Sequence, residues 1–258
     1  MSLNFDKVGR PLAVIEGGTK NKNKIVSIST DEKEEDEITR AFRKLDLPAD
    51  QKFQQFPNAH TERQIMYITG ASGSGKSTYI ASYCKQYKKV FPKNEIYVFS
   101  ALNEDESLDV IKPKRICIDE RMISDPLGVD DFKDSMVIFD DIDVIGDKKL
   151  RESVYQILNA LLECGRHQNA SVCISSHLPT AGKDTRRVLN ESHSVIWFPH
   201  SGSGVGMKRL LCDYLGLDKN INKKLKKMKT RWACYFKNYP SIIMTEHNMW
   251  LCADDEDD

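Results

Sequence analysis

The sequence predicts an α/β fold with a central, mostly parallel sheet flanked by helices, and three observations carry that expectation. Short apolar runs of strand length alternate with longer helical stretches from Gln64 to about Pro199, the pattern of strand–helix–strand crossovers. A glycine-rich loop, Gly70-Ala71-Ser72-Gly73-Ser74-Gly75-Lys76-Ser77-Thr78, falls between one such run and the helical stretch that follows it. A second apolar run, residues 136–139, ends in the acids Asp140 and Asp141.

In chain order, residues 11–16 and 24–29 are β-type runs separated by Gly17, Gly18 and a lysine- and asparagine-rich stretch, which reads as a hairpin. Thr30 can cap a helix through Asp31, Glu32, Glu34, Glu35, Asp36 and Glu37 toward Leu45, with acids in its first turn and Arg40, Arg43 and Lys44 in its last. The alternative is a solvated charged segment that folds weakly or only on a partner. Strands are then expected at 65–69, 95–100, 115–118, 136–139, 171–175 and 195–198. Helices are expected at 76–89, 149–163 and 185–191, with a short one near 102–111. Right-handed crossovers place the carboxyl ends of these strands along one sheet edge. After Pro199 come a Gly-rich loop (200–206), a Leu-rich helical run, a basic stretch (219–231) and a closing hairpin (232–239 with 241–251).

The 258 residues are 40% hydrophobic and 29% charged, enough for one domain with a full core plus an appendage, or for two small domains. By composition the chain divides into an N-terminal hairpin and acidic-helix appendage (1–60), a core (61–200), a C-terminal extension (201–253) and an acidic tail (254–258). No stretch approaches the roughly 18 consecutive apolar residues of a membrane helix. The start, MSLNFDKVGR, has no apolar segment of the secretory kind. Seven widely spaced cysteines without a Cys-x-x-Cys pair fit reduced thiols in a cytosolic compartment rather than disulfides or structural zinc.

The glycine-rich loop matches G-x-x-x-x-G-K-S in full, with a strand before it and a helix after it. Gly70, Gly73 and Gly75 let the backbone turn so that successive N–H groups face an anion, and the positive end of the helix adds to that field. Lys76 then reaches the β and γ phosphates of a nucleotide, and the Ser77 hydroxyl completes the coordination of Mg²⁺.

Such a loop needs an acid on a nearby strand, and Asp140 is assigned to the metal, directly or through water. Asp141 leaves the strand end in a different direction and can orient or deprotonate an attacking water, a hydrolase rather than a kinase pattern. In the alternative, Asp141 and Asp143 are loop acids only. Ile-Cys-Ile-Asp119-Glu120 is a competing run with a shorter apolar lead. The strands expected at 95 and 115 leave room for an extra strand between the loop strand and the acid strand. That insertion is the mark of RecA-like, additional-strand P-loop NTPases, whereas nucleotide kinases place the two strands side by side.

The succession GASGSGKST, VIFDDID, ECGRHQNASVCISSH and RRVLNESHSVIWFP resembles the genome-packaging ATPases of large double-stranded DNA viruses and virophages. These form the poxvirus-type branch of the FtsK/HerA superfamily of P-loop motors, and the resemblance covers about residues 64–200. It implies an ATP-driven motor, using ATP and Mg²⁺, that forms a pentameric or hexameric ring and moves duplex DNA of any sequence into a preformed capsid. It also implies a partner at the capsid vertex or inner membrane. The place implied is the cytoplasmic viral factory of an infected host cell, the virion, or both. A helicase or DNA-segregation translocase, and a nucleotide-dependent capsid-assembly module without processive activity, are the alternative functions.

Position by position, Lys76 and Ser77 match the family's loop pair, and Asp140 and Asp141 its acid pair, where cellular relatives usually have Asp-Glu. Arg166, in Cys164-Gly165-Arg166-His167, matches the arginine expected to act on a neighbouring subunit's ATP, neutralising charge on the γ-phosphate. Alternatively Arg166 satisfies the last carbonyls of its own helix, and Arg186 and Arg187 compete for the trans role. The segment Ile174-Ser175-Ser176-His177 occupies the polar sensor position where the family often has Gln, with Ser176 and His177 the candidates, and a hydroxyl or ring nitrogen there can contact the water or γ-phosphate. A buried strand end is the plainer alternative.

The basic stretch holds Lys219, Lys223, Lys224, Lys226, Lys227, Lys229 and Arg231 with no acid, and aromatics follow it. Lys223, Lys224, Lys226 and Lys227 are the candidate contacts to a DNA backbone, with Lys208 and Arg209 as alternatives. A solvated helical face or a contact with acidic capsid protein is the competing reading. The zero net charge, 38 basic against 38 acidic residues, argues against a nucleic-acid partner at first sight. Residues 31–37 and 254–258, however, carry eleven of the acids and one lysine, leaving 37 basic against 27 acidic residues elsewhere. The objection therefore fails.

Overall fold

The computed structural model describes residues 1–59, 63–102, 104–180 and 182–252, with the backbone alone at 182–184. The acidic tail, 254–258, lies outside the described residues. The N-terminal elements are β1 (Ser2–Asn4), β2 (Arg10–Gly17), β3 (Ile25–Ser29), α1 (Glu32–Asp36), β4 (Ala41–Phe42), β5 (Lys44–Asp46) and β6 (Gln51–Gln55). Then follow β7 (Ile65–Thr69), α2 (Lys76–Val90), β8 (Glu95–Ser100), α3 (Glu106–Asp109), β9 (Lys114–Ile116), α4 (Arg121–Ser124) and β10 (Ser135–Asp140). Next come α5 (Lys148–Cys164), β11 (Ser171–Ser176), α6 (Gly182–Glu191) and β12 (Ser194–Trp197). The last elements are α7 (Gly204–Lys208), α8 (Lys219–Lys227), β13 (Ala233–Phe236), β14 (Ile242–Thr245) and β15 (Asn248–Leu251).

Ten strands form one sheet in the order β5-β15-β14-β13-β12-β7-β11-β10-β8-β9. From β12 to β9 every neighbouring pair is parallel, as helical crossovers require. On the other side β13, β14, β15 and β5 continue the sheet antiparallel. An extra strand does separate the loop strand β7 from the acid strand β10, but it is β11, which follows the acid strand in the chain. The strands expected to fill the gap, β8 and β9, lie beyond β10. Apolar run lengths carry no information about which strands become neighbours.

Alternation along the buried strands sends side chains to two cores. Met66, Ile68, Met136 and Ile138 pack with Tyr79, Ile80, Tyr83, Cys84 and Tyr87 of α2. Ile65, Tyr67, Val137 and Phe139 pack with Val154, Ile157, Leu158, Leu161 and Leu162, the apolar stripe of α5. Asp147 caps that helix by accepting the Leu150 N–H at 2.9 Å. Within the second core the Phe99 and Phe139 rings stack at 4.8 Å, and Phe132 packs against Phe99 at 5.8 Å. Phe139→Ala is expected to cost about 3–5 kcal/mol, read as a lower urea midpoint at unchanged slope.

The expected N-terminal hairpin is present as β2 and β3 within a five-stranded sheet, β4-β1-β3-β2-β6. Its Leu3, Leu12, Ile15, Val26, Ile28 and Phe53 join the core on the α2 side. The acidic helix expected to run toward Leu45 stops at Asp36, starts from Asp31 rather than Thr30, and buries no residue. Without an apolar face it has nothing to gain by continuing. Residues 41–42 and 44–46 are instead strands, paired with β1 and β15, and β5 alternates Lys44 out, Leu45 in, Asp46 out. The closing hairpin is a three-strand meander, because the run 241–251 breaks at Glu246–His247. No helix of the described residues is long and apolar enough to cross a membrane.

Candidate active site

Strand β7 is buried along its length and delivers the chain to the carboxyl edge of the sheet at Gly70. A Cβ at Gly70 would lie 2.6 Å from Ser74 Oγ and 2.8 Å from Phe198 Cδ2, so the close turn needs glycine. Gly73 and Gly75 have φ of +73° and +110°, a region strained for other residues. Gly75 precedes α2, whose first N–H groups have no helical acceptor and open toward the loop. The loop is tied down on both sides: Gly70 N–H donates to the Ser176 carbonyl at 3.2 Å, and Ala71 N–H to Ser201 Oγ at 3.0 Å. Ser72, Gly73 and Thr78 are exposed, and Ser74 and Ser77 are half-buried.

Lys76 is only 6% exposed. Its ammonium donates to the Gly70 carbonyl at 3.2 Å and lies 3.1 Å from His177 Nδ1 and 3.5 Å from Asp141 Oδ2. His177 Nε2 closes the cluster at 3.0 Å from the same Asp141 oxygen. Asp141 reaches this position because its backbone is left-handed, φ +48°, a conformation aspartate tolerates. It therefore leaves β10 in a different direction from Asp140, as expected. Asp140 is 3% exposed. Ser175 Oγ sits between the two acids, 2.7 Å from Asp140 Oδ1 and 3.2 Å from Asp141 Oδ1, and accepts the Asp141 N–H at 3.1 Å.

Burial pushes the Asp140 carboxyl above its ordinary range; the Ser175 hydrogen bond opposes this, and the charges of Asp141 and Asp105 add to it. Between its unfolded and folded pKa values the folded protein holds the extra proton, so stability falls as pH rises through that window. Above the folded pKa the whole penalty is present. Asp140→Asn keeps an acceptor for Ser175 and removes the charge. In metal-free buffer it is expected to raise the thermal midpoint at pH 7, and the gain should vanish as pH falls through the carboxylate range. The Ser77 hydroxyl and the Asp140 carboxylate are hard oxygen donors of the kind Mg²⁺ takes, and a cation would relieve the burial penalty. Among the described residues no group of three or more His, Cys, Asp or Glu could hold a metal, so phosphates and water would complete such a site.

The remaining candidates separate. The Ser176 hydroxyl is turned away from Lys76, donating to the Leu178 carbonyl at 3.0 Å and lying 3.2 Å from Asp143 Oδ2, and only its carbonyl meets the loop. Asp119 lies beyond the edge strand β9 and pairs with Arg121 at 2.6 Å, remote from the loop. Arg166 is exposed in the turn Gly165–Gln168, before β11 begins. It thus occupies the amino edge of the sheet, and the six-residue β11 puts about 20 Å between it and its own phosphate loop. Arg63 donates to the carbonyls of Leu161 at 2.6 Å and Leu162 at 2.7 Å, the helix-end role that the sequence offers to Arg166. Arg186 lies 3.4 Å from Tyr214 Oη, and Arg187 pairs with Glu163 at 3.5 Å.

Lys223, Lys224, Lys226 and Lys227 are exposed on α8, whose Ile221 and Leu225 face the core, and Lys224 lies 5.0 Å from the centroid of the Trp250 ring. Lys208 and Arg209 are exposed as well. Arg231 is not part of α8 but lies beside Gly75. Ser175 is absent from the sequence candidates. Its signal is the parallel register Phe139↔Ile174, which brings the next residue of each strand level, Asp140 with Ser175.

No protein-family model matches the chain. It is 40% identical over 247 residues to the uncharacterized protein V3 of Sputnik virophage, covering 95% of this chain and 96% of that protein. The pCW3 conjugation coupling protein TcpA, solved with ATPγS, has a TM-score of 0.51 at 14% identity, covering 95% of this chain and 78% of that one. The genome packaging NTPase B204 from Sulfolobus turreted icosahedral virus 2, in complex with sulfate, has a TM-score of 0.49 at 16% identity, covering 71% and 96%. The likeness to TcpA is one of fold.

Proposed function

We propose that the chain, which belongs to one family with protein V3 of Sputnik virophage, is a packaging ATPase of the FtsK/HerA type, an ATP-hydrolysing motor that drives double-stranded viral DNA into a capsid. One observation carries the reading: Lys76, Asp141 and His177 converge beside the phosphate loop while Ser175 holds Asp140 next to them.

In this reading the N–H groups of Ser72, Gly73 and Gly75 to Thr78 cradle the phosphates of ATP, because those of Gly70, Ala71 and Ser74 are already donated within the protein. Lys76 exchanges Asp141 and His177 for the β and γ phosphates. Asp141, released, orients the attacking water toward the γ-phosphorus and accepts its proton as the bond from the γ-phosphorus to the β–γ bridging oxygen breaks and ADP leaves with that oxygen. His177, on the segment that follows β11, senses whether Lys76 is occupied. Ser77 and Asp140 would hold Mg²⁺, which when bound would neutralise part of the phosphate charge. The core 61–200 is the ATPase unit, the appendage 1–60 and the extension 201–253 flank it, and subunits associate as a pentameric or hexameric ring. The ring meets a capsid-vertex or inner-membrane partner and works in the cytoplasmic viral factory of the infected host, in the virion, or in both.

The test is the ATPase rate against duplex DNA concentration, with the solution mass followed with and without nucleotide. The expected result is DNA-stimulated turnover and a ring-sized mass with ATP. Unstimulated turnover would leave an assembly module instead of a motor. If α8 contacts DNA, replacing Lys223, Lys224, Lys226 and Lys227 together by Ala is expected to flatten the slope of log affinity against log salt by about 3 to 4. An unchanged slope removes α8 from the DNA path.

A further inference from the structure

Resting on the nucleotide-site reading above, we propose that the cleft beside Gly75 seats the base and ribose of the bound nucleotide, and that Arg231 clamps the base there. The cleft holds about 90 Å³, room for part of a nucleoside with the rest at its open mouth, and is lined by Gln54, Thr78, Ser82, Phe198, Arg231 and Glu246, among others. Thr78 belongs to both the phosphate loop and the cleft. A nucleotide whose phosphates follow the loop therefore has its nucleoside continuing past Thr78 into this space.

The walls are fixed by contacts that the loop does not need. Trp232 meets Tyr79 of α2 edge-on, centroids 5.0 Å apart. The Glu246 carbonyl accepts the Phe53 N–H at 2.7 Å, tying the β14–β15 turn to β6. The Glu246 carboxylate accepts the Arg231 N–H at 2.6 Å, which holds the Arg231 backbone at the cleft. The Arg231 side chain is exposed, and among the described residues its guanidinium has no hydrogen-bond or ion-pair partner. Its Nη2 lies 3.3 Å from where a Cβ on Gly75 would stand, so glycine at 75 leaves room for the arginine against the loop. A planar guanidinium over a base face attracts any base through its π surface. Such a clamp holds the nucleoside without reading its edge.

In the sequence Arg231 ends the basic stretch from which the DNA candidates are drawn; in the structure the helix of that stretch stops at Lys227, and Arg231 turns to the phosphate loop. Calorimetric titration of the full chain with AMPPCP and with inorganic tripolyphosphate, both with Mg²⁺, separates the parts. Arg231→Ala is expected to weaken AMPPCP about 5- to 30-fold and tripolyphosphate less than about 2-fold, with Arg231→Lys recovering only part of the loss. Equal losses for both ligands would assign Arg231 to the phosphates and overturn the proposal, as would no loss for either, or a loss confined to duplex DNA binding. If wild-type protein binds neither ligand, the phosphate-loop reading fails, and the clamp with it.

Discussion

Lys76→Ala is expected to lower kcat/KM for ATP by on the order of 10² to 10³-fold, measured as phosphate release from the purified protein. Lys76 is 6% exposed and held by the Gly70 carbonyl, His177 and Asp141, so its ammonium is positioned before any phosphate arrives. Truncation removes the one mobile positive charge of the loop, and the backbone N–H groups remain. Binding therefore weakens less than turnover, because charge builds on the γ-phosphate in the transition state. Lys76→Arg is not expected to rescue: the planar fork does not fit the compact point-charge position behind Gly70. The fold survives the change, since Asp141 keeps His177 at 3.0 Å and Ser175 at 3.2 Å. Unchanged phosphate release from the Ala variant would end the ATPase reading.

Much of this arrangement is legible from the sequence because it is local. Lys76, Ser77, Asp140 and Asp141 sit at fixed offsets from apolar runs, and those runs are buried strands, β7 and β10. What the sequence hides is pairing between distant segments. Strand β11 takes its place between β7 and β10 through α5, and nothing in Ser-Val-Cys-Ile-Ser-Ser names its neighbours. Ser175 matters only through that register. Strands β4 and β5, two and three residues long, are too short to show a period, and β5 is specified by β15, some 200 residues away. Arg231 is chemically like the lysines before it, and only the chain turn after α8 separates their surroundings.

Arg166→Ala is expected to lower kcat by about 10³-fold or more, and mixing it with Asp141→Asn subunits should bring hydrolysis back. The geometry excludes a role in its own site: Arg166 precedes β11 at the amino edge of the sheet, while the loop and Asp141 stand at the carboxyl edge. A side chain cannot span the roughly 20 Å between them. In a head-to-tail ring, a residue displaced from its own site can face the site of the next subunit. The Arg166→Ala subunit still has Asp141, and the Asp141→Asn subunit still has Arg166, so one orientation of the mixed interface holds a complete set. With random assembly at equal amounts, about a quarter of interfaces have that orientation, and activity should peak at that ratio and fall to either side. Arg63 serves as the internal contrast, because it is committed to the Leu161 and Leu162 carbonyls. Arg63→Ala should lower the unfolding midpoint and should not be complemented by Asp141→Asn beyond the activity it retains alone. If Arg166→Ala shows no recovery at any ratio, the arginine is not a trans residue, and Arg186 and Arg187 become the next to test in the same mixing format.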